Sequence, residues 1–152
     1  MLLTKNFIVE SAKENMSGSE SVHLITAWWK NEDGNSLIST NGSMDFLFNE
    51  ESDMKLLKVN GIYPVQISET ESTLPEQDVL TQNRTFVVEK VANYMNKSQS
   101  VNFLATWNKG TGSIESKVSI HGSIYLFFHE GEEKNLFEVG KEYFVSVLKA
   151  VN

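Results

Sequence analysis

Cysteine is absent from the 152 residues, so disulfides, thiolate metal sites and a cysteine nucleophile are all excluded. Arginine is nearly absent. Arg84 stands alone among 13 basic residues against 20 acidic ones, and the formal net charge of −7 opposes binding to phosphate backbones, where affinity comes from Lys and Arg. Long apolar runs are missing too. Nothing approaches the roughly 20 residues of a membrane-spanning helix. The opening Met1-Leu-Leu-Thr-Lys-Asn-Phe-Ile8 has neither the basic start nor the apolar stretch of a signal peptide, so a cytoplasmic protein is expected. No Gly-rich phosphate loop, no Gly-x-Ser-x-Gly and no paired strand-end carboxylates occur, so the chain reads as non-enzymatic and without a cofactor.

What is present is ordinary globular material, 40% hydrophobic and 22% charged, and it repeats. Phe7 to Lys30 match Phe86 to Lys109 at an offset of 79, with identities that include Phe7, Val9, Val22, Trp28 and Lys30. From Ser36 to Glu69 the match resumes against Ser116 to Lys149 at an offset of 80, through Gly42, Ser43, Phe48, Tyr63 and Val65. The single added residue falls in a loop, Asn31 to Asn35 against Gly110 to Glu115, as a duplication of one small unit would leave it.

Within each copy the apolar spacing is mostly two, the signature of strands with one face buried. Val22, Leu24, Thr26 and Trp28 share a face, matched by Val101, Phe103, Ala105 and Trp107. Met44, Phe46 and Phe48 match Ile124, Leu126 and Phe128, and Tyr63, Val65 and Ile67 match Tyr143, Val145 and Val147. Leu56 and Val59 (Leu136 and Val139) lead through a turn at Asn60-Gly61 or Gly140-Lys141 into the last strand. Val87, Val88, Val91 and Met95 fit a helical stripe as well as a strand. Pro64 cannot donate to a ladder, which suggests an edge strand.

The expected fold is therefore all-β: two tandem copies of a small antiparallel barrel or sandwich of OB-like or SH3-like size, with room for one short helix per copy. Residues 1–69 form the first repeat, 70–82 a linker and 83–152 the second. Ile25, Leu104, Leu47 and Phe127 are apolar on the other strand face in both copies, which suggests that the copies pack on each other there, or that each is a two-layer sandwich.

The charge is uneven. Residues 1–80 hold 5 Lys and 13 acidic residues, giving −8, whereas 81–152 hold 8 basic and 7 acidic residues, giving +1. His121, His129, Glu130 and Glu132 lie close enough in sequence to suggest a metal site. Yet His23, His121 and His129 align with Asn102, Asn41 and Asn49, so these positions are merely polar in the other copy, and no metal site is assigned. The acidic loops with Glu50, Glu51 and Asp53, and with Glu130, Glu132 and Glu133, occupy matching places. Without the EF-hand pattern they read as solvated turns, or as charge offered to a basic partner. Most of the 11% aromatic residues fall on the inward face, as core rather than as a base-stacking platform. Trp29 has Asn108 as its counterpart and lies off that face, and Phe144 stands opposite Pro64. Both are candidate anchors for a partner.

The segment Leu136-Phe-Glu-Val-Gly-Lys-Glu-Tyr-Phe-Val145, with the Val/Leu-rich strand and the Ser119-x-x-Gly-Ser123 step, resembles small β proteins of about one repeat's length that are common in tailed phages and mostly lack an assigned role. The first copy departs from it at Asn60-Gly61-Ile62 and Pro64. The resemblance implies phage or prophage origin and carries no functional residues with it. The expected function is a non-catalytic module that binds a host or phage protein complex in the bacterial cytoplasm, in its most concrete form an acidic, anti-CRISPR-like inhibitor of host defence. The alternatives are a single-stranded nucleic-acid-binding accessory protein with OB-like repeats and a virion structural component. No membrane partner is expected, and self-association as a homodimer is compatible with the sequence.

Overall fold

The computed structural model describes residues 2–16, 18–30, 36–48, 55–71, 73–105 and 122–149. Among the described residues eight strands follow in order: β1 (Leu2–Glu14), β2 (Glu20–Lys30), β3 (Ser36–Phe48), β4 (Ile62–Ser68), β5 (Val79–Asn93), β6 (Gln99–Ala105), β7 (Gly122–Phe128) and β8 (Glu142–Leu148). Among the described residues the one helical element is a 3-10 turn, Glu76–Asp78. The stripe through Val87, Val88 and Val91 thus belongs to a strand, and β5 begins inside the expected linker.

All neighbouring strands are antiparallel and close into one barrel in the order β1-β2-β3-β7-β6-β5-β8-β4, with β4 returning to β1. This corrects the expectation of two separate barrels or sandwiches. The halves join edge to edge, through β3 with β7 and β4 with β8, and not face to face through Leu47 and Phe127. A four-stranded sheet of this size has two bare edges, and pairing each with its counterpart satisfies both rows of backbone groups at once.

The register of the two halves is the same. Val22 faces Phe46 as Val101 faces Leu126, and Phe7 faces Tyr63 as Phe86 faces Tyr143. A bulge after Val9 recurs after Val88. The seams are symmetric about Met44 with Ile124 and about Gln66 with Ser146, so a two-fold operation through those two pairs exchanges the halves.

The period-two pattern places one side of every strand inside. Phe7, Val9, Leu24, Met44, Phe46, Phe86, Phe103, Leu126 and Tyr143 are buried there, and an eight-stranded barrel is just wide enough for such side chains to fill. Phe103 and Tyr143 each meet Phe137 edge-on at 5.0 Å, and Phe46 meets Phe86 at 6.0 Å. Each buried ring of this kind stabilises the fold by about 2–3 kcal/mol. Outside lie Thr4, Asn6, Glu10, Asp45, Glu89 and Lys90. A membrane-spanning barrel has the reverse alternation, apolar outward and polar inward. Among the described residues no helix is long and apolar enough to cross a membrane.

Several local expectations change. β4 is paired on both sides, so Pro64 is not on an edge; its ladder with β8 begins one residue later, at Val65, where the missing N–H costs nothing. Leu57 and Phe137 are the buried residues of the segments that precede β4 and β8, whereas Val59 and Val139 are exposed. Here the chain is in a turn and period two does not apply. Ser146, on the strand face opposite Tyr143 and Val145, is buried at the centre of the β4–β8 seam.

Each last strand is entered through a repeated latch. Asn60 and Gly140 have positive φ, and the Lys58 and Glu138 amides donate to Tyr63 Oη and Tyr143 Oη at 2.8 and 3.0 Å. A cation lies over a ring of the opposite half in both cases: Lys5 Nζ over Phe128 at 5.3 Å, and the Arg84 guanidinium over Phe48 at 4.8 Å.

Candidate functional site

Because the halves share one backbone plan, surface differences between equivalent positions show where each has been specialised. The outer faces of the two hairpins, β1–β2 with β3 and β5–β6 with β7, differ in this way. In the first half Asn15, His23, Asp45 and Leu47 occupy the positions that Tyr94, Asn102, Tyr125 and Phe127 hold in the second.

On the first face the strand register sets His23 opposite Asp45, and His23 Nδ1 lies 2.6 Å from Asp45 Oδ1. The other ring nitrogen, Nε2, is 3.6 Å from Glu10 Oε1. Asn15 Nδ2 donates to Ser21 Oγ at 3.0 Å. His23, Asp45 and Ser21 border an open depression of about 310 Å³ that Ser11, Lys13 and Leu47 also line. Nδ1 is thus engaged by Asp45, while Nε2 lies beyond hydrogen-bond distance of the Glu10 carboxylate. Among the described residues no cluster of three or more His, Asp or Glu could hold a metal ion.

The second face is built from rings. Ser100 sits opposite Phe127 and Asn102 opposite Tyr125. Tyr94, at the end of β5, reaches over Ser100 with its hydroxyl 3.0 Å from Ser100 Oγ, and its ring lies 6.2 Å from Phe127. His129 meets Phe127 edge-on at 4.9 Å. Burial pushes the Tyr125 phenol above its ordinary value, the neighbouring Tyr94 adds to this, and a hydrogen bond with Ser100 acts in the opposite direction. Tyr94 is 48% exposed and Met95 beside it fully so. No ring of this group is needed to fill the barrel. Together they form an aromatic row with hydroxyl groups along it, suited to stacking and hydrogen bonding.

The expected site residues fall differently. Glu130, Glu132 and Glu133 lie exposed in the turn that follows β7, next to His129. Glu132 Oε1 accepts from the His129 amide at 2.8 Å, and Lys134 Nζ donates to the Glu132 carbonyl at 3.2 Å. This turn and the Tyr94–Ser98 turn stand at the same end of the barrel, since Gln99 pairs with Phe128. Phe144 is half-buried on β8, opposite Ser68 and Thr85, three strands round the barrel from β7 and apart from the ring group. Trp29 lies in β2, but its side chain is outside the described residues, as are that of Trp28 and the whole of Glu50, Glu51, Asp53, Trp107 and His121. Tyr94 and Tyr125 were not singled out by sequence. The available signal was the pairing of Tyr94 with Asn15 and of Tyr125 with Asp45 across the repeat, a change from polar to aromatic at two outward positions. Compared with protein-family models and with curated proteins, the chain matches none.

Proposed function

We propose that the protein is a non-catalytic binding module that docks on another protein through the outer face of β5, β6 and β7. One observation carries this reading: Tyr94, Tyr125, Phe127 and His129 form a contiguous ring surface on a barrel whose interior is already filled. Tyrosine-rich surfaces with little side-chain freedom are typical of interface anchors. The test is affinity capture from the source cells with the wild type, with Tyr94→Asn/Phe127→Leu, and with His23→Ala/Asp45→Ala. The first pair installs side chains that the other half carries at the same positions, so the fold tolerates them. Loss of a captured protein with this pair alone supports the reading, and identical captures by all three overturn it.

The narrower form, an acidic inhibitor of a host defence complex, is supported by the resemblance to tailed-phage proteins and by the −7 charge. It predicts that expression of the protein raises phage plating on a defended host. The same rings on the half with net charge +1 also favour a second reading, stacking of single-stranded nucleic acid. That reading requires binding that weakens steeply with salt.

A further inference from the structure

Resting on the protein-binding reading, we infer that the ring face takes a basic segment of its partner, one that presents arginine or lysine side chains in extended conformation. Two features of the face act together. Ring faces carry negative quadrupole density, and Tyr94 with Phe127 offers adjacent rings 6.2 Å apart, with Tyr94 half exposed. Beside them, at the same barrel end, Glu130, Glu132 and Glu133 are all exposed. A guanidinium lying on the rings is within the field of these carboxylates, whereas an acidic peptide, a phosphate backbone or an anionic lipid surface is repelled by them. Two cations, Lys134, whose amine is held on the Glu132 carbonyl, and the exposed Lys97 of the Tyr94–Ser98 turn, stand against three carboxylates and reduce this charge without cancelling it. The chain already uses the same recognition internally, where Arg84 lies 4.8 Å over Phe48.

Net charge makes the inference testable, because the acidity resides in the other half. A ligand drawn by charge alone goes to residues 1–80, which carry −8, and not to the half carrying +1. The experiment is a titration of the full chain with a short Arg-Ala repeat peptide, followed residue by residue in the amide NMR spectrum, with a Glu-Ala repeat as control. The expected result is saturable shifts at Tyr94, Tyr125, Phe127 and residues 129–133. The affinity should fall by about tenfold in Tyr94→Asn/Phe127→Leu, as for loss of an interface anchor, and again in Glu130→Gln/Glu132→Gln/Glu133→Gln. In Glu10→Gln/Asp45→Asn it should be unchanged. Shifts concentrated on the first half, indifference to the ring substitutions, or no binding each overturn the inference. If the ring variant loses its cellular partner while the Arg-Ala peptide fails to bind, the docking reading stands and only the basic partner falls.

Discussion

Glu20 and Gln99 provide a swap experiment that the fold has set up. Both open the second strand of their half and are buried, at 4% and 1% exposure. Each presents Oε1 to a backbone amide on the segment that follows the third strand: Lys55 N at 2.9 Å and Asn135 N at 3.1 Å, both at residues with positive φ. The other carboxamide group separates them. Gln99 Nε2 donates to Asn93 Oδ1 at 2.8 Å and to Asn135 Oδ1 at 3.0 Å, whereas in the first half the equivalent residues, Glu14 and Lys55, form an ion pair of 2.9 Å. Gln99→Glu removes both donors and puts a carboxyl group at a position 1% exposed, while the Asn93 and Asn135 oxygens, on exposed residues, can turn to water. The cost is therefore that of the one buried group, about 2–3 kcal/mol, or about 7 °C in Tm for a chain of this size. Glu20→Gln keeps the Oε1 acceptor, and its new amide group can reach Glu14, so its cost stays below about 1 kcal/mol. Urea unfolding of the two single variants measures the difference. The triple variant Asn93→Glu/Gln99→Glu/Asn135→Lys, which transplants the ionic set, should recover part of the loss. Equal stability of the two single variants, within about 1 kcal/mol, would refute this account of the pair.

Other outcomes follow from the same packing. Phe137→Ala removes a ring that touches Phe103 and Tyr143 at 5.0 Å, and should cost about 3–5 kcal/mol in chemical unfolding. Leu57→Ala at the equivalent place should cost about 2–5 kcal/mol. Gly122 has φ +143° and an added Cβ would come within 2.5 Å of the Asp45 carbonyl oxygen across the β3–β7 seam, so Gly122→Ala should destabilise by more than about 2 kcal/mol. Wild-type stability of that variant would count against the seam register. Thr81 Oγ1 is the one buried side-chain polar atom without a partner among the described residues, and Thr81→Val should raise stability by about 1 kcal/mol. Tyr125 should ionise later than an ordinary tyrosine. Because its folded value is raised, the stability it contributes is complete below pH 10.0 and is lost as pH rises beyond it. Near-ultraviolet titration should show a late step that Tyr125→Phe removes.

The strand faces were legible because alternation is a local property: Phe7 and Val9, Leu24, Phe46, Tyr143 and Val145 all point inward where spacing placed them. Closure was not legible. The same alternation serves a sheet that closes on itself and one that closes on its twin, and the pairing of Met44 with Ile124 has no local signature. Pro64 misled because a missing N–H marks a gap in one ladder and says nothing of the strand's other side. Leu57 and Phe137 escaped because they lie in turns, where no period holds. The ring face was half legible: Phe127 stood out as outward and apolar, His129 was noted only as a ligand candidate, and Tyr94 and Tyr125 acquire meaning only once Ser100 brings them together.

The seams also bear on how the protein is made. β1 to β4 leave the ribosome first, and their outer members, β3 and β4, must wait for β7 and β8, which come last. In that interval a nascent half sheet carries two unpaired rows of backbone donors and acceptors, both already shaped to receive strands of this same sequence. An unfinished chain that pairs with a neighbouring one in this interval gives a dimer of two barrels, each assembled from the first half of one molecule and the second half of the other. Every backbone pair in such a dimer is a native one. Slower synthesis or a faster-closing β8 should therefore shift the yield toward monomer without altering the barrel itself.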